Sequence, residues 1–432
     1  MPPKSVWSIA AVGMALTTLA ACGTVVREAR YRATGLTSPG PSDAARAATA
    51  WHYFRTQRNR QNGIVVTAEG AGFTTPGTIG DDLAASYSAL RLSVIERAEY
   101  RSHVDADLAF LNHLPLTATG LPGRVYDVRS GGLTDFPAAR DPGWSATSIG
   151  RLLIWLRILR ADEPSRAAAI DAIVARWQLC RAMDAKGVLL TGLPDEHGGY
   201  LIGPDVADGR ADYAEQGLTA WGVRGPAGPE PDFAVDVEGV SLPLSGSLVD
   251  SPLLTTPYAL IGIEFGWSSP DGVALPRDKA IFNGLLEAQR RRTATTRFAT
   301  ARDDYRQESA PFEVVSAVLA RGVPWVTSSI AGVPHPQLAI TSVKASYAMW
   351  ALDKTPFTTR LIAEADRLND HTAGWREGHI ESTDRVVATR TSATNAIVLE
   401  ALLFRRAAPF FRRMHDVPDD RCPAQRAATT SR

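Results

Sequence analysis

Apolar side chains recur at three- and four-residue intervals along most of the chain from about residue 43. Ala47, Ala50, Trp51 and Phe54 form a first helical stripe. Leu83, Tyr87, Leu90 and Val94 predict a helix over 82–99, and Val104, Leu108 and Leu111 one over 102–114. Ile149, Leu152, Leu153 and Leu156 place a helix in 145–161. Ile170, Ile173, Val174 and Trp177 mark the next, with Pro164 suited to a first helical turn. The same spacing predicts helices at 210–222, 255–267, 277–292, 310–321, 339–353, 357–368 and 391–406. Strand signals are few; the best, 188–190 and 233–240, read as hairpins on one rim.

About twelve short helices, with no repeat of the roughly 34 or 40 residues that marks helical arrays, predict an all-α fold. Six inner and six outer helices would make an (α/α)6 toroid over 42–408, with small β-hairpins on its loop rims. An irregular all-α globule has the same periodicity. The polar loops at 115–144, 184–209 and 223–254 exceed ordinary helix–helix connections, and such loops usually carry function.

The first residues have a different pattern. Lys4 precedes a short apolar run over 6–19, which is a secretory signal by length and polarity. It ends in Leu19-Ala20-Ala21-Cys22-Gly23, which resembles the lipobox of bacterial lipoproteins. Residues 1–21 are therefore expected to be a signal peptide, Cys22 the lipidated residue, 22–41 a tether and 409–432 a C-terminal tail. Gly23 after the cysteine resembles the outer-membrane sorting class, so the expected place is the cell envelope, on the periplasmic face of the outer membrane. Cys180 and Cys422 remain. Either they bond and pin the tail, or one is a buried thiol and the other lies free; the sequence leaves both open.

Charge removes whole classes of partner. The 46 Lys and Arg residues balance 46 Asp and Glu, so no basic excess exists for nucleic acid or for an acidic membrane surface. The chain lacks G-x-S-x-G, a P-loop, a strand-linked G-x-G-x-x-G and H-E-x-x-H, and no cofactor or metal is expected. His103, Asp105 and Asp107 read as a solvated helix face.

Carboxylates set beside aromatic residues near loop–helix junctions are the remaining chemistry. They occur at Gly80-Asp81-Asp82, at Tyr126-Asp127 with Gly143-Trp144-Ser145, and at Asp212-Tyr213-Ala214-Glu215 before Trp221. Two more lie at Arg302-Asp303-Asp304-Tyr305 before Pro311-Phe312, and at Gly374-Trp375-Arg376-Glu377-Gly378. Glycans need this mixture, since sugar ring faces stack on aromatics and hydroxyls bond carboxylates. Cleaving a glycosidic bond takes one carboxylic acid to protonate the leaving oxygen and a second carboxylate as base or nucleophile.

In this order, with Trp51-His52-Tyr53-Phe54, Gly150-Arg151-Leu152-Leu153, Glu264-Phe265-Gly266, Ser342-Val343-Lys344-Ala345 and Thr394-Asn395-Ala396, these stretches resemble the bacterial envelope family known as domain of unknown function thirty-one thirty-one. The family is itself similar to glucoamylase-like (α/α)6 glycosidases. The chain departs from the family pattern at Gly80-Asp81-Asp82, where Trp-Asp is usual, and at Arg302-Asp303-Asp304, where the family tends to read Ser-Glu. The resemblance implies a cofactor-free hydrolase acting on a polysaccharide, inverting by the habit of such toroids. Glu377, Asp304, Glu215 and Asp82 are expected in one cleft, with Glu377 the acid and Asp304 or Glu215 the base. Trp144, Tyr213 and Trp375 are the expected sugar platforms, and Tyr126 and Asp127 further contacts. The second reading is a polysaccharide lyase using Tyr213, Tyr305, His379 or Arg376; the third is a non-catalytic glycan-binding or assembly lipoprotein.

Overall fold

The computed structural model describes residues 41–136, 138–205, 209–225, 233–244, 251–407, 409–410 and 417–422. The segment expected to be a signal peptide, Cys22 and nearly all of the expected tether lie outside the described residues. Eleven α-helices are described: α1 (Pro41–Thr56), α2 (Pro76–Arg91), α3 (Arg97–His113), α4 (Ala146–Asp162), α5 (Ala167–Ala175), α6 (Arg210–Ala220), α7 (Thr255–Leu260), α8 (Pro276–Thr296), α9 (Val343–Leu352), α10 (Pro356–Asp366) and α11 (Ser392–Ala407). A π-helical turn, Ile261–Phe265, extends α7 and ends at Gly266 in the left-handed region.

Six of these helices close a ring. The order is α2, α4, α6, α7, α9, α11, with α11 packed back against α2. They are the inner members of inner–outer pairs: α1, α3, α5, α8 and α10 lie outside them. The outer place between α6 and α7 holds no described helix; the hairpin of Phe233–Val237 with Val240–Leu244 comes there and packs against α8. The protein is thus an α/α toroid with one outer helix position taken by a hairpin. Because each inner helix is followed by a returning outer element, all six inner helices run the same way. Their N-termini share one face, and the long loops entering α2, α4, α6, α9 and α11 gather there.

Local sequence explains the ring. Along α4, Ile149, Leu152, Leu153, Trp155, Leu156 and Leu159 are buried, so this helix is apolar around most of its girth and can sit inside other helices. Cutting Leu153 back to Ala would cost about 2–5 kcal/mol. Glycine sets the closest approach. A Cβ on Gly217 of α6 would stand 2.2 Å from the Gly150 carbonyl of α4, and one on Gly150 2.4 Å from Ala214, so both positions require glycine. Hydroxyl caps start the inner helices: Thr75 accepts from Thr78 N, Ser145 from Ser148 N and Ser342 from Ala345 N.

Several expected elements differ. The 310–321 segment is not a helix but two strands, Glu313–Ser316 and Leu319–Ala320. Pro311 and the β-branched pair Val314 and Val315 suit a strand, and Val314 and Val315 pair with Tyr305 and Asp304. The helix expected over 82–99 starts earlier, at Pro76, and ends at Arg91, where Ser93 turns left-handed (φ 56°). Asp107, expected on a solvated face, is buried between α2 and α3 beside Arg58. Cys180 and Cys422 are joined by a disulfide, which ties residues 417–422 to the body. No described helix is long and apolar enough to cross a membrane.

Candidate active site

Two carboxylates are held by the first turn of α11. Thr391 and Thr394 each donate a hydroxyl to Glu377 Oε1, both at 2.6 Å. Ser392, between them in sequence, donates to Asp81 Oδ2 at 2.8 Å. Glu377 Oε2 takes no hydrogen bond from the described residues. The backbone fixes Glu377 as firmly as its side chain: its N–H bonds the Thr389 carbonyl (3.0 Å), and its own carbonyl accepts from Val343 N at the start of α9 (2.9 Å).

Asp304 comes from the long loop that enters α9. Lys344, in the first turn of α9, donates to Asp304 Oδ1 at 2.5 Å, and Arg210 stands 3.8 Å from Oδ2. Its neighbour Asp303 is buried and caps α7, accepting from Thr256 N at 2.7 Å. Arg302 grips Glu381 through two bonds of 2.7 and 2.9 Å, which ties the Asp304 segment to the strand that follows Glu377. Asp304 keeps 34% of its side-chain surface, whereas Glu377 is 1% exposed.

These surroundings push the two carboxyls apart. Burial raises Glu377 above the usual carboxylate range, although Lys344 and the two threonine hydroxyls oppose the shift. Burial acts in the same direction on Asp304, but Lys344 and Arg210 outweigh it and hold that carboxyl well below its ordinary value. Lys344 stays charged: burial works against it, and Asp304, Asp303 and Glu377 together prevail. The arrangement offers one group disposed to give a proton and one to take it, both under the influence of one cation.

Below this mouth, the ring axis is polar. Arg151 of α4 donates to Asp81 Oδ1 (3.1 Å) on α2, to the Tyr213 hydroxyl (2.5 Å) on α6 and to Glu400 (2.5 Å) on α11, and it also donates to Glu264 on the π turn. Tyr213 in turn donates to Glu264 Oε2 at 2.8 Å, and Trp155 to Oε1 at 3.0 Å. Burial lifts Glu400 well above its ordinary range, and neighbouring Glu264 adds to the shift, with Arg151 opposing. Asp81 joins both layers, bonded to Arg151 below and to Ser392 at the mouth. Among the described residues no three His, Cys, Asp or Glu side chains are placed to hold a metal ion.

The sequence profile described as Protein of unknown function (DUF3131) matches residues 45–408. The chain belongs to that family. Solved structures similar to this DUF3131 protein include a protein of Bacteroides fragilis NCTC 9343 described as a glucoamylase, with TM-score 0.63 and 13% identity over 88% of this chain and 96% of that one. An endo-β-1,2-glucanase of Chitinophaga pinensis, in complex with sophorotriose and glucose, gives TM-score 0.64 and 12% identity over 91% and 98%. An endo-β-1,2-glucanase of Talaromyces funiculosus with sophorose gives 0.51 and 14% over 88% and 94%. At these identities the likeness establishes the fold, a glucoamylase-like α/α toroid. No curated protein matches the sequence.

Of the residues expected in one cleft, Glu377 and Asp304 come near enough to act on Lys344 together, and the Asp304 charge reaches Glu377. Asp82 does not join them. It lies one step, about 100°, round α2 from Asp81 and turns outward to Arg58 and Asp107. It is also no helix cap, since Thr75 holds that place. Glu215 follows Tyr213 by two residues, about 200° of helical turn, so it points away from the axis. There it clusters with Asp212, Asp278 and Arg277, and burial and the neighbouring carboxylates push it up to about 7. The expected platforms are covered. Trp144 is buried against Tyr200 and Gly192, and Trp375 is buried against Tyr347 with its indole N–H on the Arg46 carbonyl. Tyr213 is buried in the axial network, and Tyr126 braces its own loop, donating to the Pro115 carbonyl. Asp127 closes a turn by accepting from Arg129 N and Ser130 N.

The charged residues around the candidate site that sequence reasoning passed over are Asp81, Arg151, Glu264, Lys344 and Glu400, with Arg210 at the rim. Four of them carry a readable signal. Arg151, Glu264, Lys344 and Glu400 are charges inside largely apolar helical runs, where an ionisable group is retained only with partners.

Proposed function

We propose that this protein is a lipid-anchored envelope glycoside hydrolase that cleaves a glucan, with Glu377 as general acid and Asp304 as general base. The observation that carries the reading is a buried Glu377 held by two threonine hydroxyls and an Asp304 paired with Lys344 at the mouth of the inner ring, surroundings that raise one carboxyl and lower the other. Glu377 gives its proton to the glycosidic oxygen as the bond to the anomeric carbon breaks. Asp304 takes a proton from the water whose oxygen attacks that carbon, and solvent resets both groups. Asp81 and Arg151 hold the turn of α11 that positions Glu377. The β-1,2-glucanase neighbours make β-1,2-glucan the first substrate to test.

The lyase reading is less favoured because the bases Tyr213 and Tyr305 and the cation Arg376 are engaged elsewhere, and the remaining base, His379, stands 3.1 Å from Asp384. Tyr213 is locked to Arg151 and Glu264, Tyr305 donates to the Leu338 carbonyl, and Arg376 pairs with Asp370. The deciding experiment incubates purified protein with β-1,2-glucan and assays new reducing ends and absorbance at the ultraviolet wavelength of an unsaturated sugar. New reducing ends, lost in Glu377→Gln and in Asp304→Asn, support hydrolysis. Ultraviolet absorbance would move the assignment to a lyase, and binding without either product to a glycan-binding protein. For the anchor, Cys22→Ser should move the protein from the membrane to the soluble fraction; unchanged retention would exclude lipidation at Cys22.

A further inference from the structure

None of the nine described tryptophans is exposed, so the rings that sequence reasoning offered to a sugar are spent on packing. Another aromatic pair stands open. Phe73 and Phe136 lie with ring centroids 5.7 Å apart, and Phe136 is 47% exposed. The Phe136 ring rests on Gly72, where a Cβ would sit 3.6 Å from its edge atoms, so the ring is supported rather than dangling.

The pair is joined to the candidate active site from two directions. Phe73 precedes Thr75, the cap of α2, and α2 carries Asp81. From the other side, the Arg306 guanidinium stands 5.3 Å from the centre of the Phe73 ring. Arg306 and Asp304 belong to one strand, Asp304–Arg306, and residues two apart project from the same side of a strand. Their Cα atoms are about 7 Å apart at strand spacing. Arg306 thus links the ring pair to the strand that carries the carboxylate assigned as base. An exposed apolar ring pair beside a charged cleft matches a glucosyl unit, whose C–H face is apolar and whose edge carries hydroxyls that Arg306 can bond.

We infer that Phe73 and Phe136 form a stacking platform for a glucosyl unit next to the cleavage point, with Arg306 bonding that sugar's hydroxyls. This rests on the glucan reading above, and the test separates the two. Binding of β-1,2-linked glucose oligomers of increasing length is measured by calorimetry in Glu377→Gln, with and without Phe136→Ala. Turnover of the same oligomers is measured in Phe136→Ala and in Phe136→Tyr with Glu377 intact. Phe136→Ala should weaken binding and raise KM by roughly tenfold for the longer oligomers, with little change for the shortest, and Phe136→Tyr should restore both. Tight binding that depends on Phe136, without turnover in any variant, would keep the platform and remove the hydrolase. Turnover or binding indifferent to Phe136→Ala would remove the platform and leave the hydrolase untouched. Absence of both binding and turnover would overturn both.

Discussion

Lys344 and Asp304 form a 2.5 Å ion pair between the first turn of α9 and the loop that precedes it. The lysine lowers both carboxyls assigned to the reaction, and burial of Glu377 keeps that group raised in spite of it. If Asp304 is the base and Glu377 the acid, the acid limb of the pH profile reports Asp304 and the alkaline limb Glu377. Replacing Lys344 with Met removes a stabilising charge from both carboxylates, so both pKa values rise. The whole bell of kcat/KM against pH should move to higher pH, by about one unit or more on the acid side. A profile that loses amplitude without moving would mean that Lys344 holds structure only.

The carboxylate cluster outside the ring makes a prediction about stability. Burial, helped by Asp212, pushes both Glu215 and Asp278 up to about 7. Folded pKa values raised above the unfolded ones, near 4, mean that the folded state binds more protons between those limits. Stability from this cluster is complete below about pH 4 and falls as pH rises to about 7. The midpoint of urea unfolding should therefore be higher at pH 5 than at pH 8. Glu215→Gln should flatten that slope and stabilise the protein at pH 8 by about 1–3 kcal/mol. An unchanged slope in the variant would show that Glu215 is ionised in the folded protein at neutral pH.

Much of the ring was legible because its signal is periodic. The stripe in 145–161 marks α4 within a residue or two of its bounds, and twelve elements predicted a six-pair toroid. The failures have physical causes. Val314, Val315, Val318 and Leu319 fit a helical stripe as well as a buried strand, and neighbouring Pro311 was the cue that went unused. Asp81 and Asp82 are adjacent, and choosing between them requires knowing which side of α2 faces the axis. Their angles round the helix to Tyr87, whose ring reaches Trp155 on α4, are about 120° and about 140°, too similar for the stripe to choose between them. The tryptophan motifs misled in a different way. A large ring beside a carboxylate looks like a sugar site in sequence, but five of the largest fully buried side chains are tryptophans, Trp144 and Trp375 among them. The Cys180–Cys422 pair had to stay open, because a separation of 242 residues carries no information about distance.

That disulfide closes most of the toroid into one covalent loop, joining the segment after α5 to the chain beyond α11. Cross-linking removes entropy from the unfolded chain, and the folded contacts at 417–422 lie beside the bond. Arg421 donates its N–H to the Gly222 carbonyl (2.8 Å), and Arg224 bonds the Pro418 carbonyl. The double variant Cys180→Ser, Cys422→Ser should lose about 2–4 kcal/mol in urea unfolding and become sensitive to proteases near residue 417. Equal stability in the two proteins would mean that the tail contacts hold without the bond.

The axial network sets apart two substitutions that look alike on paper. Arg151 is the buried cation facing Asp81, Glu264 and Glu400. Removing it by Arg151→Met leaves three buried carboxyls without their cation, and breaking a buried pair from one side costs about 3–5 kcal/mol. Glu400 differs because burial, with Glu264 adding and Arg151 opposing, lifts it well above its ordinary range and so disposes it to hold a proton. Glu400→Gln conserves shape and can still accept from Arg151, so it should cost less than about 1 kcal/mol. Thermal unfolding of both variants at neutral pH decides the matter. A loss in Glu400→Gln as large as in Arg151→Met would show that Glu400 is ionised in the fold and that the axis carries one more negative charge.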